Sequence, residues 1–170
     1  MQRIIYLFCL LMFIGCAMEG IQIKTADDVF NHSKIDFDAY SKTTSLKGPV
    51  MPWINVDNGF VDYLLMTFAK DDYYYLLIKY NNSNWGFIDS AYDINNEKLD
   101  VVKLGSEVQN DGWIEERITV KFKRDYLEKN LKSGLSIKFY GKKTFILSIP
   151  DFYIQGFIKK IDDSKYWLQR

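Results

Sequence analysis

The sequence predicts an α+β fold: mainly an antiparallel β-sheet or sandwich, with one or two packed helices, one of them C-terminal. Three observations predict it. Several short runs alternate apolar and polar residues at period two; turn-forming residues separate them; and one apolar stripe at spacings of three and four follows Pro150-Asp151.

In chain order, residues 16–55 read as an approach segment that wraps the domain, and 56–170 as a single β-rich globular domain. Thr25-Ala26-Asp27-Asp28 can cap a short helix through Phe30. Gly48-Pro49 and Met51-Pro52 are extended or turn dipeptides. Ile35, Phe37, Tyr40, Val50, Trp53 and Ile54 are too apolar for a free linker.

Phe60 to Ala69 and Tyr73 to Tyr80 read as strands flanking the hairpin turn Lys70-Asp71-Asp72. Both are apolar at odd and even positions, the pattern of central strands covered on two faces. Trp85 to Tyr92 and Leu99 to Leu104 follow, separated by Asp93-Ile94-Asn95-Asn96.

Ile114 to Phe122 sets Ile114, Ile118, Val120 and Phe122 on one face and Glu115, Arg117, Thr119 and Lys121 on the other. Asp125 with Glu128 suggests a capping box for a helix that ends before Gly134. Leu135 to Tyr140 and Phe145 to Ile149 alternate around the turn Gly141-Lys142. Ile154, Phe157, Ile158 and Ile161 make the final helical stripe, with Gly156 placed to let that helix press close to the sheet.

The N-terminus reads as a signal peptide over 1–15. Arg3 is a short positive region, Ile4 to Ile14 an apolar run too short to span a bilayer, and small residues stand at Gly15 and Ala17. Ile14-Gly15-Cys16 resembles the lipobox of bacterial lipoproteins, with Phe13 where that pattern prefers Leu. The resemblance implies cleavage before Cys16, lipidation of that residue, and anchorage in membrane lipid; two or more acyl chains hold stably where one does not. With Ala17 rather than Asp next, it further implies the periplasmic face of an outer membrane. Cleavage after Ala17 is the rival, and gives a soluble secreted protein.

Cys9 leaves with the leader and Cys16 is the lipidation site, so the mature domain has no thiol for a disulfide, a nucleophile or a metal. Without Arg3 the chain is close to neutral, at 21 basic and 22 acidic residues, and a nucleic-acid partner is not expected. Charge is unevenly spread: net −9 over 16–116 and net +8 over 117–170. Arg117, Lys121 and Lys138 define a possible interaction surface for an anionic or acidic envelope partner. Mutual neutralisation of the two halves is the plainer reading.

Chemical motifs are sparse. His32 is the only histidine; no Gly-x-Ser-x-Gly elbow accompanies it, and one His without Cys makes zinc improbable. No cofactor is expected. Adjacent carboxylates such as Glu115-Glu116 point to opposite faces of a strand, so they do not make a glycosidase pair by themselves. Glu116 falls by parity on the apolar face, where it needs a partner, or else a strand-end bulge shifts the parity. Asp93 to Glu97 lacks the central Gly and distant Glu of a calcium loop. Tyr73, Tyr74, Tyr75, Trp85 and Trp113 are candidates for a sugar or peptide groove, against core packing as the plainer alternative.

The segment from Gly112 to Ile161, with its Tyr-Gly-Lys, Ile-Pro and Tyr-Ile-Gln-Gly-Phe stretches, is similar to the closing part of small uncharacterised bacterial envelope lipoproteins. That resemblance implies no activity and no catalytic residues. The functional expectation is therefore a non-enzymatic binding or interaction module with an unknown protein or envelope ligand. Its rivals are a carboxylate-dependent hydrolase of envelope polymers, with Glu116 as one acid, and an accessory or immunity-type partner of an envelope assembly.

Overall fold

The computed structural model describes residues 22–57, 59–69 and 71–164; the leader 1–15 and Cys16 lie outside them. The elements are α1 (Ala26–His32), β1 (Lys34–Asp38), β2 (Thr43–Lys47), β3 (Met51–Val56), β4 (Gly59–Phe68), β5 (Tyr73–Asn82), β6 (Ser90–Asp93), β7 (Lys98–Val108), β8 (Ile114–Lys123), α2 (Arg124–Lys129), β9 (Leu135–Tyr140), β10 (Phe145–Ile149) and α3 (Asp151–Asp163). All strand pairs are antiparallel. The order is β1-β2-β4-β5-β8-β7-β6-β9-β10, with β3 also paired to β4. The α+β class read from the sequence is therefore what the chain adopts.

The sheet curves over one core. β7 joins its two halves: Lys98 and Leu99 pair with β6, and the rest of the strand pairs with β8. The halves meet where Tyr80 of β5 stacks on Phe145 of β10 at 4.7 Å, and Phe145 stacks on Phe139 at 4.9 Å. Apolar stripes of both halves and of α3 close this core, with Ile154, Phe157, Ile158 and Ile161 all buried. Such burial gives about 1.5–3 kcal/mol for each large side chain.

α3 is pinned from below. The Tyr153 hydroxyl donates to the Pro49 carbonyl at 2.6 Å and accepts from the Leu65 amide at 3.3 Å. It thereby holds the break between β2 and β3, which pair with successive parts of β4. Gly156 does press close to a neighbour, but the neighbour is α1: a Cβ there would lie 2.2 Å from the Ala26 carbonyl and 2.6 Å from Val29 Cβ. Lys159 adds an ion pair to Asp27 at 2.8 Å.

Several local expectations need correction. The approach segment read over 16–55 contributes β1, β2 and most of β3, all strands of the main sheet. The strand expected over 85–92 shortens to Ser90–Asp93, because the chain before it is drawn inward to a carboxylate. The α2 capping box is absent: the helix starts at Arg124 with no side-chain cap, and Glu128 instead takes the Arg124 guanidinium at 2.6 Å. β4 and β5 are central, but their outer faces stay partly open; Leu64, Tyr73, Tyr75 and Leu77 are only half-buried.

Candidate functional site

The outer face of the main sheet ends in a groove of about 600 Å3 built on neighbouring strands. Register places Phe60, Asn81, Glu115 and Glu107 side by side across β4, β5, β8 and β7, and all four point outward. Trp53 closes one side. The β7–β8 hairpin carries Trp113 to the other. The rings form a chain: Trp53 meets Phe60 edge-on at 5.6 Å, and Phe60 meets Trp113 at 5.8 Å.

Trp53 is held in a costly conformation. Its φ is 57°, a region that bulky residues avoid, at an order-of-magnitude cost of 1–3 kcal/mol. The cause is a β-bulge: Met51 pairs with Tyr63 and Ile54 with Val61, so Pro52 and Trp53 together oppose Asp62. Asp62 Oδ1 accepts the Trp53 amide at 2.8 Å. The side chain remains 72 % exposed.

The opposite wall is a tight loop. The Gln109 amide donates to the Trp113 carbonyl at 2.7 Å, the Gly112 amide to the Gln109 carbonyl at 2.9 Å, and the Trp113 amide to Asp111 Oδ1 at 3.1 Å. Gly112 has φ 86°, which the turn requires and glycine adopts freely. Between the walls, Glu115 lies 3.2 Å from Arg117 Nε and 3.9 Å from Lys79 Nζ. The contact with Nε is an ion pair without hydrogen-bond alignment. No lysine or arginine lines the groove among the described residues.

Glu116 behaves differently from the carboxylate beside it. It is on the apolar face, 8 % exposed, and β8 is regular through it, so no bulge shifts its parity. Its partner is backbone: Oε2 accepts the Gly86 amide at 2.8 Å and Oε1 the Phe87 amide at 2.9 Å. Successive amides converging on one anion form a nest. A Cβ at Gly86 would lie 2.5 Å from Oε2, so only glycine permits the approach. Glu116 therefore does not share the groove with the outward-facing acids.

The other sequence candidates are dispersed. Arg117 pairs with Glu107 at 2.8 Å as well as with Glu115. Lys121 lies opposite Asp100 in register, with Nζ 3.7 Å from the centre of the Tyr73 ring. Lys138 is on β9, with β7 and β6 between it and β8, beside Tyr140. His32 ends α1, its Nδ1 2.8 Å from the Asp28 carbonyl, so that nitrogen carries the proton. Of the aromatic candidates, Trp113 lines the groove; Trp85 stacks on Phe87 at 5.6 Å, Tyr74 is buried, and the Tyr75 hydroxyl donates to Asp71 at 2.6 Å. That bond pushes the Tyr75 phenol up to about 12.

The sequence reading missed Trp53, Phe60, Asp62 and Asn81 as groove residues. Pro52-Trp53 before an alternating run was the available signal, since proline interrupts strands at edges and bulges. No family model, no curated protein and no solved structure matches this chain. Among the described residues no helix is long and apolar enough to cross a membrane.

Proposed function

We propose that this chain is a lipid-anchored, non-enzymatic recognition module of a bacterial envelope, tethered through Cys16 and engaging its ligand in the Trp53–Phe60–Trp113 groove. One observation carries the reading: a tryptophan held at φ 57° and left 72 % exposed over an aromatic floor. Strain of this kind persists only where the surroundings enforce it, and it gathers at ligand-binding sites. Large aromatic anchors with a few fixed polar groups are also the usual lining of a binding groove. The anchor is supported by the leader alone.

The test is capture of the native full-length protein from its own envelope, alongside Trp53→Gly, with mass analysis of the N-terminal peptide. The expected result is an acylated Cys16 peptide and a co-purifying ligand that the variant loses. Protein retaining Met1 would remove the address. A ligand retained equally by the variant would remove the groove.

A hydrolase is the second reading, favoured by Asp62, Asp111 and Glu115 lining one groove. Two of these each commit an oxygen to a backbone amide, and Glu115 lies against two cations. New reducing ends from envelope polymers, abolished by Asp111→Asn, would establish it. An accessory role through Arg117, Lys121 and Lys138 has weaker support, since neighbouring acids or rings answer each of them.

A further inference from the structure

Resting on the recognition reading, we infer that the groove takes an uncharged glycan chain. The absence of lysine and arginine among the described lining residues disfavours phosphorylated, sulfated or carboxylated ligands, because Asp62 and Asp111 would repel them. The acids do not make a strong cation site either. Asp62 and Asp111 each have one oxygen bound to an amide, and Arg117 and Lys79 offset Glu115.

What remains is a mixed set of donors and acceptors. Asn81 and Asn110 offer amide groups, Gln109 offers its carbonyl while its Nε2 donates to Glu107 at 2.8 Å, and Asp62 and Asp111 each keep an oxygen for accepting. A hydroxyl both donates and accepts, so a polyol can answer every member of that set, while an apolar ligand would leave them unpaired at a cost. The rings supply the other half. The C–H face of a pyranose is flat and packs on an aromatic plane, and Trp53, Phe60 and Trp113 lie in sequence along the floor and walls. Trp53 ends the row as an exposed platform, and its bulge fixes that platform before ligand arrives, which reduces the ordering cost of binding.

The experiment uses the full-length protein in a detergent whose headgroup contains no sugar. Tryptophan fluorescence and calorimetry follow titration with tetra-N-acetylchitotetraose, cellotetraose, tetralysine and a sulfated tetrasaccharide, each at low and high salt. The inference expects saturable binding of at least one neutral tetrasaccharide, little changed by salt. Trp53→Gly should weaken it at least about tenfold, or 1.4 kcal/mol. Because glycine suits φ 57°, the variant should still unfold cooperatively within a few degrees of wild type, so lost binding is not lost folding.

Failure of both neutral sugars, or tighter salt-sensitive binding of tetralysine or the sulfated sugar, overturns the glycan assignment. If envelope capture still depends on Trp53 in that case, the recognition reading stands and only the ligand class falls. Recovery of the bound tetrasaccharide intact agrees with recognition; its cleavage moves the groove to the hydrolase reading.

Discussion

Two exposed aromatic residues sit in left-handed backbone, and a carboxylate holds each. Trp53 has φ 57° and donates its amide to Asp62; Phe87 has φ 48° and donates its amide to Glu116. The local chemistry is the same, but the surroundings differ. Asp62 is half-buried on the outer face beside a polar groove, and among the described residues Trp53 has Phe60 as its one ring partner. Glu116 is buried on the inner face, takes a second amide from Gly86, and draws in a loop whose Phe87 stacks on Trp85. One carboxylate presents a side chain; the other anchors a loop to the core. The side of the sheet decides which.

The largest expected effect is at the buried member. Glu116→Ala leaves two amides without acceptors, at about 1–3 kcal/mol each, and urea unfolding should record the loss. Asp62→Ala exposes its single amide to water and should cost less than about 1 kcal/mol. Equal costs would dissolve the comparison.

Next come the aromatic residues themselves. Trp53→Gly releases strain of order 1–3 kcal/mol and gives up one ring contact of about 0.5–1.5 kcal/mol. Thermal unfolding should place it within about 1 kcal/mol of wild type. Phe87→Gly gains the same relief but uncovers a stacked pair over a buried carboxylate, so it should be the less stable of the two variants. The opposite order would make Trp53 the structural residue.

The smallest effect is at a surface carboxylate of the same kind. Asp28 accepts the Lys24 and Thr25 amides at the start of α1, bonds that hold its carboxyl below the usual range. A depressed folded pKa adds stability above the unfolded value near 4, and loses it as pH falls through the folded value. Protection of the Ala26–His32 amides against exchange, taken relative to the intrinsic rate at each pH, should therefore fall below about pH 4, and Asp28→Asn should flatten that dependence. Protection in α1 that does not change across that range would show that the surface cap contributes nothing measurable.

Much of the fold was legible because the information is local. Alternation in 114–122, 135–140 and 145–149, the Thr25 to Asp28 helix cap, and the stripe after Pro150 each depend on residues a few positions apart. β1 to β3 were illegible because pairing is what makes them strands: β2 and β3 pair with β4, and β1 pairs with β2 and has no buried side chain at all. The fate of Glu116 was half legible. Parity put it on the apolar face, while the partner that makes this tolerable is an amide pair 29 and 30 residues away in the chain.

The groove divides the same way. The sequence alone determined the residue types, the strand parity that separates Glu115 from Glu116, and the lack of a thiol in the domain. Tertiary structure decided that Trp53, Phe60 and Trp113 meet, because register between β3, β4, β5 and β8 and a bulge opposite Asp62 set their positions. Side-chain period is a property of one strand, whereas register is a free-energy choice among strands, and only the folded sheet makes it.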